Sequence, residues 1–318
     1  MYNPHVTTKP LEHNITQIDL MYSASPRLCA GYIIGGPVPV LIETGPKPSV
    51  PYILEALKVL KIEPSALRYI IVTHIHLDHA GGAGTLLKHC PNATLLVHEK
   101  GRRHLIDPDR LLSGARQVYG EAFDSLLEDI EPVQAERIIS PQNNQSIDIG
   151  SGRMLTFINT PGHAYHHLCI YDSLSQGIFC GDAAGLSFPV LAELGTEYYV
   201  PATSPTQFDP TAMLISLNHI SAFKPRHLYF THFGVSSHPA QIIRSLRELI
   251  QKWLELAADA YLLSSTWQDI ETALWQYHEC DLIDRGIPAG HPALATVKDT
   301  LEISAKGLAH YLENKNTK

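Results

Sequence analysis

Three histidines and an aspartate crowd into six positions at His74-Ile75-His76-Leu77-Asp78-His79. Imidazole nitrogens and carboxylate oxygens are the donors that zinc, iron and manganese accept. Immediately before them runs Tyr69-Ile70-Ile71-Val72, a short apolar, β-branched segment that reads as a buried strand. Packing does not explain four strong donors at the end of such a strand. The chemistry they suggest is activation of water by a bound cation.

Further donors follow downstream. His163 sits in Asn159-Thr160-Pro161-Gly162-His163, Asp182 in Gly181-Asp182-Ala183-Ala184-Gly185, and His232 in Thr231-His232-Phe233-Gly234. Each comes just after a segment of strand character, at 154–158, 177–180 and 227–230. A lone His163 or His232 is more often a packed histidine than a ligand; donors at four strand ends together point to one site. Seven ligand-type residues suit two adjacent metals that share ligands and keep positions open for water. His166 and His167 have no ligand slot and are expected to hydrogen-bond around the site. Asp107, Asp109 and Asp172 read as solvated or capping carboxylates.

The elements that must position these groups follow an α/β logic. Strands are expected at 15–21, 31–34 and 38–42, the last closed by Glu43-Thr44-Gly45. A helix at 50–61 follows, with Ser49 as its cap, Pro51 in its first turn, and Ile53, Leu57 and Leu60 on one face. The strand into His74 comes next, so the donors lie in loops at strand ends. Beyond the cluster come a helix ended by Pro91, a strand at 95–98 and an amphipathic helical stretch at 101–130. That stretch reads as a covering helix, with a lid or insertion as the alternative. Strand and turn at 138–153 precede a strand pair at 168–171 and 177–180. A helix at 211–223 then starts at Asp209 and Pro210. Past His232 the chain turns helical, with Ile242, Leu246, Leu249, Ile250 and Trp253 on one stripe, then helices at 267–278 and 293–313.

Composition narrows the class. The 318 residues are 44% hydrophobic and 18% charged, enough for a large globular core. A net charge of −8 without a basic run argues against a nucleic-acid partner. The five cysteines are odd in number and form no Cys-x-x-Cys pair, which disfavours a disulfide framework and favours a reducing compartment. Met1-Tyr2-Asn3-Pro4-His5 has neither a basic nor an apolar leader region, and no apolar run is long enough to span a bilayer. The expectation is a soluble cytoplasmic protein that acts on a small molecule and has no membrane partner.

His74-x-His76-x-Asp78-His79, Thr160-Pro161-Gly162-His163, Gly181-Asp182-Ala183 and Thr231-His232-Phe233-Gly234, in this order, resemble the ligand motifs of the metallo-β-lactamase superfamily. The resemblance covers roughly residues 15–235. It implies a four-layer αβ/βα sandwich over 1–237, made of two half-sandwiches, with a helical C-terminal region at 238–318. By the same resemblance His74, His76 and His163 would hold one divalent metal ion and Asp78, His79 and His232 a second, with Asp182 bridging. Zinc is the first expectation for both ions, and iron or manganese the alternatives. The implied activity is a dinuclear metal-dependent hydrolase in which a metal-activated hydroxide attacks a thioester, lactone or ester. Asp78 would orient the hydroxide or relay its proton to the leaving group. The alternatives are a di-iron oxygen-binding or redox protein, or a phosphodiesterase.

The chain also departs from the family pattern. Glu43-Thr44-Gly45 stands where the family often has Asp-Thr-Gly. No tyrosine follows Asp182 as it does in the acyl-homoserine lactonases of the superfamily, and the basic surfaces or inserted domain of its RNA-processing branches are missing. His76 stands where the di-iron branch usually has Glu, which favours hydrolysis. Phe188, Tyr198, Tyr199 and Phe233 closely follow ligand motifs and are the expected substrate contacts, with core packing as an equal reading. The C-terminal helices are expected to pack on the sandwich or to form a homodimer; glyoxalase II-like members also end in helices, which help bind the thiol part of their substrate.

Overall fold

Alternation along the strands sorts the apolar side chains into layers. The computed structural model describes residues 6–264 and 266–316; Met1–His5, and the leader reading made on them, lie outside. A first sheet sets β1 (Thr8–Pro10), β2 (Ile15–Asp19), β3 (Ala30–Ile34), β4 (Val40–Ile42), β5 (Tyr69–Ile71), β6 (Thr94–Leu96) and β7 (Ile138–Ile139) side by side in chain order. Its pairs are antiparallel as far as β4 and parallel from β4 to β7. Next in the chain come β8 (Ser146–Asp148), β9 (Met154–Asn159), β10 (Leu168–Asp172) and β11 (Gly177–Gly181). After a separate pair, β12 (Leu186–Ser187) and β13 (Tyr199–Val200), follow β14 (His227–Phe230) and β15 (Gly234–Ser236). The second sheet runs β15-β14-β11-β10-β9-β8, with β11 and β14 parallel.

The helices are α1 (Val50–Val59), α2 (Leu77–Ala80), α3 (Ala83–His89), α4 (Glu99–Ile106), α5 (Asp109–Tyr119), α6 (Phe123–Leu126), α7 (Pro189–Glu193), α8 (Pro210–Ala222), α9 (Pro239–Ser264), α10 (Trp267–Asp284) and α11 (Ala293–Asn316). Ile33, Leu41, Ile70 and Leu95 point out of the first sheet onto Ile53 and Leu57 of α1 and Leu86 of α3. Their neighbours Tyr32, Ile34, Val40, Ile42, Ile71 and Leu96 point the other way, onto Leu155, Phe157, Ile170, Phe179 and Tyr229 of the second sheet. The far face of that sheet, with Ile158, Ile178, Leu228 and Phe230, is covered by Leu217 of α8, Trp253 of α9, Leu274 of α10 and Leu301 of α11. The result is the expected helix–sheet–sheet–helix sandwich. Its central strands are apolar on both faces because each is buried on both, and every such side chain contributes about 1.5–3 kcal/mol.

Several local expectations are corrected. The strand from Ile15 ends at Asp19, whose carboxylate accepts the backbone N–H groups of Met21 and Arg27 and turns the chain. Ser49 does not cap α1; its hydroxyl donates to the Leu20 carbonyl at 2.6 Å. The strand before His98 ends at Leu96, and the His98 ring accepts the Lys100 N–H, capping α4. The 101–130 stretch is broken at Pro108, which cannot continue a helix, and at Gly120, where φ is +54°. Asp172 is neither solvated nor a mere cap: it is fully buried and takes two bonds from Arg153, at 2.8 and 2.6 Å. Among the described residues no helix is long and apolar enough to cross a membrane.

Candidate metal centre

Strand ends bring the donors together. β5 runs out through Val72 and Thr73 to His74, and the single turn of α2 carries Asp78 and His79. His163 lies in the loop after β9, Asp182 directly follows β11, and His232 lies in the turn after β14. β9, β11 and β14 run in the same direction, so their C-terminal ends share one edge of the second sheet, facing the end of β5 in the first. The seven residues form three overlapping groups with converging ligand atoms: His74, His76 and His163; His74, His79 and Asp182; Asp78, His79 and His232. Gly181 makes the close approach possible. Its φ is +48°, and a Cβ there would lie 2.5 Å from Thr73 Oγ1 and 2.6 Å from His167 Nε2.

Proton accounting shows what these nitrogens can do. The Thr73 hydroxyl donates to Glu43 Oε1 at 2.5 Å, so it accepts from His74 Nδ1–H at 3.1 Å, which leaves Nε2 of His74 as a bare lone pair. His163 donates Nδ1–H to the Ala202 carbonyl at 2.9 Å and is bare at Nε2 in the same way. Both bare nitrogens lie 2.9 Å from His76 Nδ1, which has at most one hydrogen to offer. His79 donates Nδ1–H to Glu43 Oε1 at 3.2 Å and turns Nε2 toward Asp182 Oδ1 at 3.3 Å and Asp78 Oδ2 at 3.6 Å, a place that a proton takes in the absence of metal. His79 Nε2 and Asp182 Oδ1 are buried with no hydrogen-bond partner. Lone pairs facing lone pairs in a buried site repel unless a cation sits between them, so this donor set fits divalent metal.

Asp182 spans the two halves of the cluster. Its Oδ2 lies 3.3 Å from His163 Nε2, while Oδ1 faces His79 and, at 3.5 Å, His232. Asp78 Oδ2 approaches His232 at 3.4 Å. The site opens on one side: the His232 side chain is 20% exposed and that of Asp78 12%, against 0% for His79.

Electrostatics in the metal-free site follow this layout. Burial, then the neighbouring imidazoles His79, His76 and His163, hold His74 well below the usual histidine range. His76 is pushed down to about 3 by burial and His163. Burial would lower His79 and His232 as well, but Asp182 and Asp78 outweigh it and both are raised. Asp182 is held far below the carboxylate range because His79, His232 and His163 overcome its burial. His167 accepts the Asp182 backbone N–H at 3.1 Å on Nε2 and so donates Nδ1–H to Thr160 Oγ1 at 2.8 Å. His166 is buried, stacked over His74 with centroids 6.1 Å apart.

Three features of the surroundings exceed what the sequence offered. Glu43 is a hub that accepts from the Thr73 N–H and hydroxyl, the Thr231 hydroxyl and His79. It does so at a φ of +66°, a strained setting for a non-glycine residue. The Glu-Thr-Gly motif flagged the position. The Ala202 carbonyl left no signal, since any residue carries one. Tyr22 and Tyr119 share a hydrogen bond near Asp78, and burial, then that carboxylate, raise both phenols. The expected aromatic contacts lie as follows. Phe188 and Tyr198 are buried in the outer core, and the Tyr198 hydroxyl is held by His278 and Asp281. Tyr199 is half-buried and stacks on Phe230 at 5.2 Å. Phe233 is half-buried beside His232.

Residues 28–232 match the family described as the metallo-β-lactamase superfamily. The metallo-β-lactamase fold-containing protein ST1585 of Sulfurisphaera tokodaii is 29% identical over 189 residues, 58% of this chain and 67% of that protein. A crystal structure of ST1585 superposes with a TM-score of 0.63 at 24% identity, covering 89% of this chain and 93% of that one. A putative diflavin flavoprotein of Nostoc sp. is 30% identical over 158 residues, 49% of this chain. An N-acyl homoserine lactonase of Agrobacterium fabrum is 28% identical over 114 residues, 36% of this chain. The match spans only 23% of the flavoprotein and 39% of the lactonase.

Proposed function

Since the chain belongs to the metallo-β-lactamase superfamily, we propose that it is a dinuclear metal-dependent hydrolase of a small ester-type substrate: a thioester, a lactone or an ester. The observation that carries this reading is Asp182, whose two carboxylate oxygens face different groups of histidines. We infer that His74, His76 and His163 hold one zinc ion, that Asp78, His79 and His232 hold the other, and that Asp182 serves both. Two such cations would make hydroxide available near neutral pH and polarise a carbonyl oxygen.

The chain's own residues would do the rest. Glu43, Thr73 and the Ala202 carbonyl keep a hydrogen on Nδ1 of His79, His74 and His163 respectively, leaving Nε2 of each ring to face the metal. Asp78, at the open side, orients the attacking water through its carboxylate, takes the proton and passes it to the leaving oxygen or sulfur. We infer that Phe233, next to His232 in the chain, and Tyr22 and Tyr119, whose phenols lie within reach of the Asp78 charge, hold the acyl part of the substrate. Phe188, Tyr198 and Tyr199 are assigned to packing.

The test is a substrate panel run on zinc-loaded protein: chromogenic thioesters, lactones, esters and phosphodiesters, with metal content measured in parallel. The expected result is about two metals per chain and turnover of one ester-type class. Turnover of phosphodiesters alone would replace the substrate class. The likeness to a diflavin flavoprotein supports a second reading, a di-iron redox protein, which predicts iron in the protein as isolated and a visible spectrum that changes on reduction.

A further inference from the structure

α11 reaches the metal centre through a few residues of loop. The acceptor that orients His163 is the carbonyl of Ala202. The next residue, Thr203, donates its hydroxyl to the Ser304 carbonyl of α11 at 2.9 Å. Three residues further along α11, Gly307 packs so close that a Cβ there would collide with the Thr203 carbonyl and crowd Ser204. Phe208 meets Tyr311 of α11 edge-on, with centroids 5.9 Å apart. Ala202, Thr203 and Ser304 are all buried.

The stretch between β13 and α8 belongs to no strand or helix, so no ladder of backbone hydrogen bonds fixes where its carbonyls point. His74 and His79 take their orienting partners from Thr73 and Glu43, inside the sandwich. His163 takes its partner from a loop seated on the C-terminal helix.

We propose that α11 is a positioning element of the metal centre. Through Thr203 and Gly307 it sets the Ala202 carbonyl, and that carbonyl fixes the tautomer and ring direction of His163. The C-terminal helix thereby tunes the affinity of the three-histidine half of the site and leaves the Asp78/His79/His232 half alone. The proposal rests on the two-metal reading above.

The experiment uses the full chain, stripped of metal and titrated with zinc against a chromophoric chelator. Gly307→Ala should push the loop away from α11, and Thr203→Val should cut its tie to Ser304. Both should weaken one of the two zinc ions by roughly ten- to a hundred-fold and leave the other unchanged. Thr203→Ser, which keeps the hydroxyl, should bind like wild type. Melting of the metal-free proteins separates positioning from packing. Expected is a Thr203→Val protein that melts close to wild type without metal and still shows the one-site loss. The proposal is overturned if folded variants bind both ions at wild-type affinity, or if affinity falls only in step with metal-free melting. If Gly307→Ala does not fold, the Thr203 pair decides. A wild-type chain that takes up no zinc removes the two-metal reading itself, a different failure from wild-type-like variants.

Discussion

His79 and His278 are both fully buried imidazoles near a carboxylate, and their surroundings could hardly differ more. His278 accepts Trp253 Nε1–H at 2.9 Å on Nε2 and donates Nδ1–H to the Tyr198 hydroxyl at 2.7 Å; that hydroxyl donates on to Asp281 at 2.9 Å, which Arg285 meets at 3.0 Å. Both ring nitrogens of His278, Trp253 Nε1 and the Tyr198 hydroxyl have partners, and the network ties α9, α10 and the segment before β13 together. His79 has one nitrogen satisfied by Glu43 and the other without a hydrogen-bond partner, facing carboxylate oxygens. Burial and polarity are common to both clusters. Of these two clusters only the metal centre leaves buried polar atoms, His79 Nε2 and Asp182 Oδ1, without a hydrogen-bond partner, which sets it apart as the group suited to receive a cation.

The contrast predicts that damage to each cluster shows in a different measurement. The largest effect is expected from Asp182→Ala, which removes the carboxylate facing both histidine groups. Hydrolysis should fall by roughly a thousand-fold or more, with metal content below two per chain. Wild-type turnover would reject its shared role. His278→Ala should do the reverse: unfolding in urea should show a loss of about 2–4 kcal/mol from the cavity and the stranded Trp253 and Tyr198 groups, with metal content intact.

A pH series separates the two further. Burial pushes His278 down to about 4, from an ordinary value of 6.5. The unfolded chain therefore takes up this proton first, so its contribution is complete above about pH 6.5 and drains away as pH falls toward about 4. The difference between wild type and a non-titrating His278→Gln protein, both metal-free, should approach about 3 kcal/mol across that window. A pH-independent difference would show that His278 does not titrate as a buried neutral ring. The smallest effect is expected from Glu43→Gln. It keeps the shape of the hub and weakens its hold on His79, so zinc affinity should drop by roughly ten-fold, read by chelator competition.

What could be read from the chain was what side chains announce. Ile70 and Ile71 marked a strand buried on both faces, and donors right after such strands marked the ends that meet. Asp209 and Pro210 announced α8, and the structure shows the Asp209 carboxylate accepting the Ala212 N–H at 3.0 Å. The rest depends on contacts between distant residues. Asp172 read as a solvated or capping carboxylate until the pairing of β9 with β10 set it against Arg153 in the interior. Tyr22 and Tyr119 come from separate elements that only the folded chain brings together. Ser49 has the chemistry of a cap, yet its hydroxyl turns to donate to the Leu20 carbonyl and accepts no N–H of α1. The Ala202 carbonyl is invisible to any reading of side chains.

The division of the donors between two sheets also has a consequence in time. His74, His76, Asp78 and His79 follow a strand of the first sheet, whereas His163, Asp182 and His232 follow strands of the second. On the proposed assignment neither half holds a complete set, so tight capture of metal would wait until the two halves have closed on each other. Metal would then act as a latch rather than a seed, and the metal content of a preparation would count the molecules that were assembled correctly.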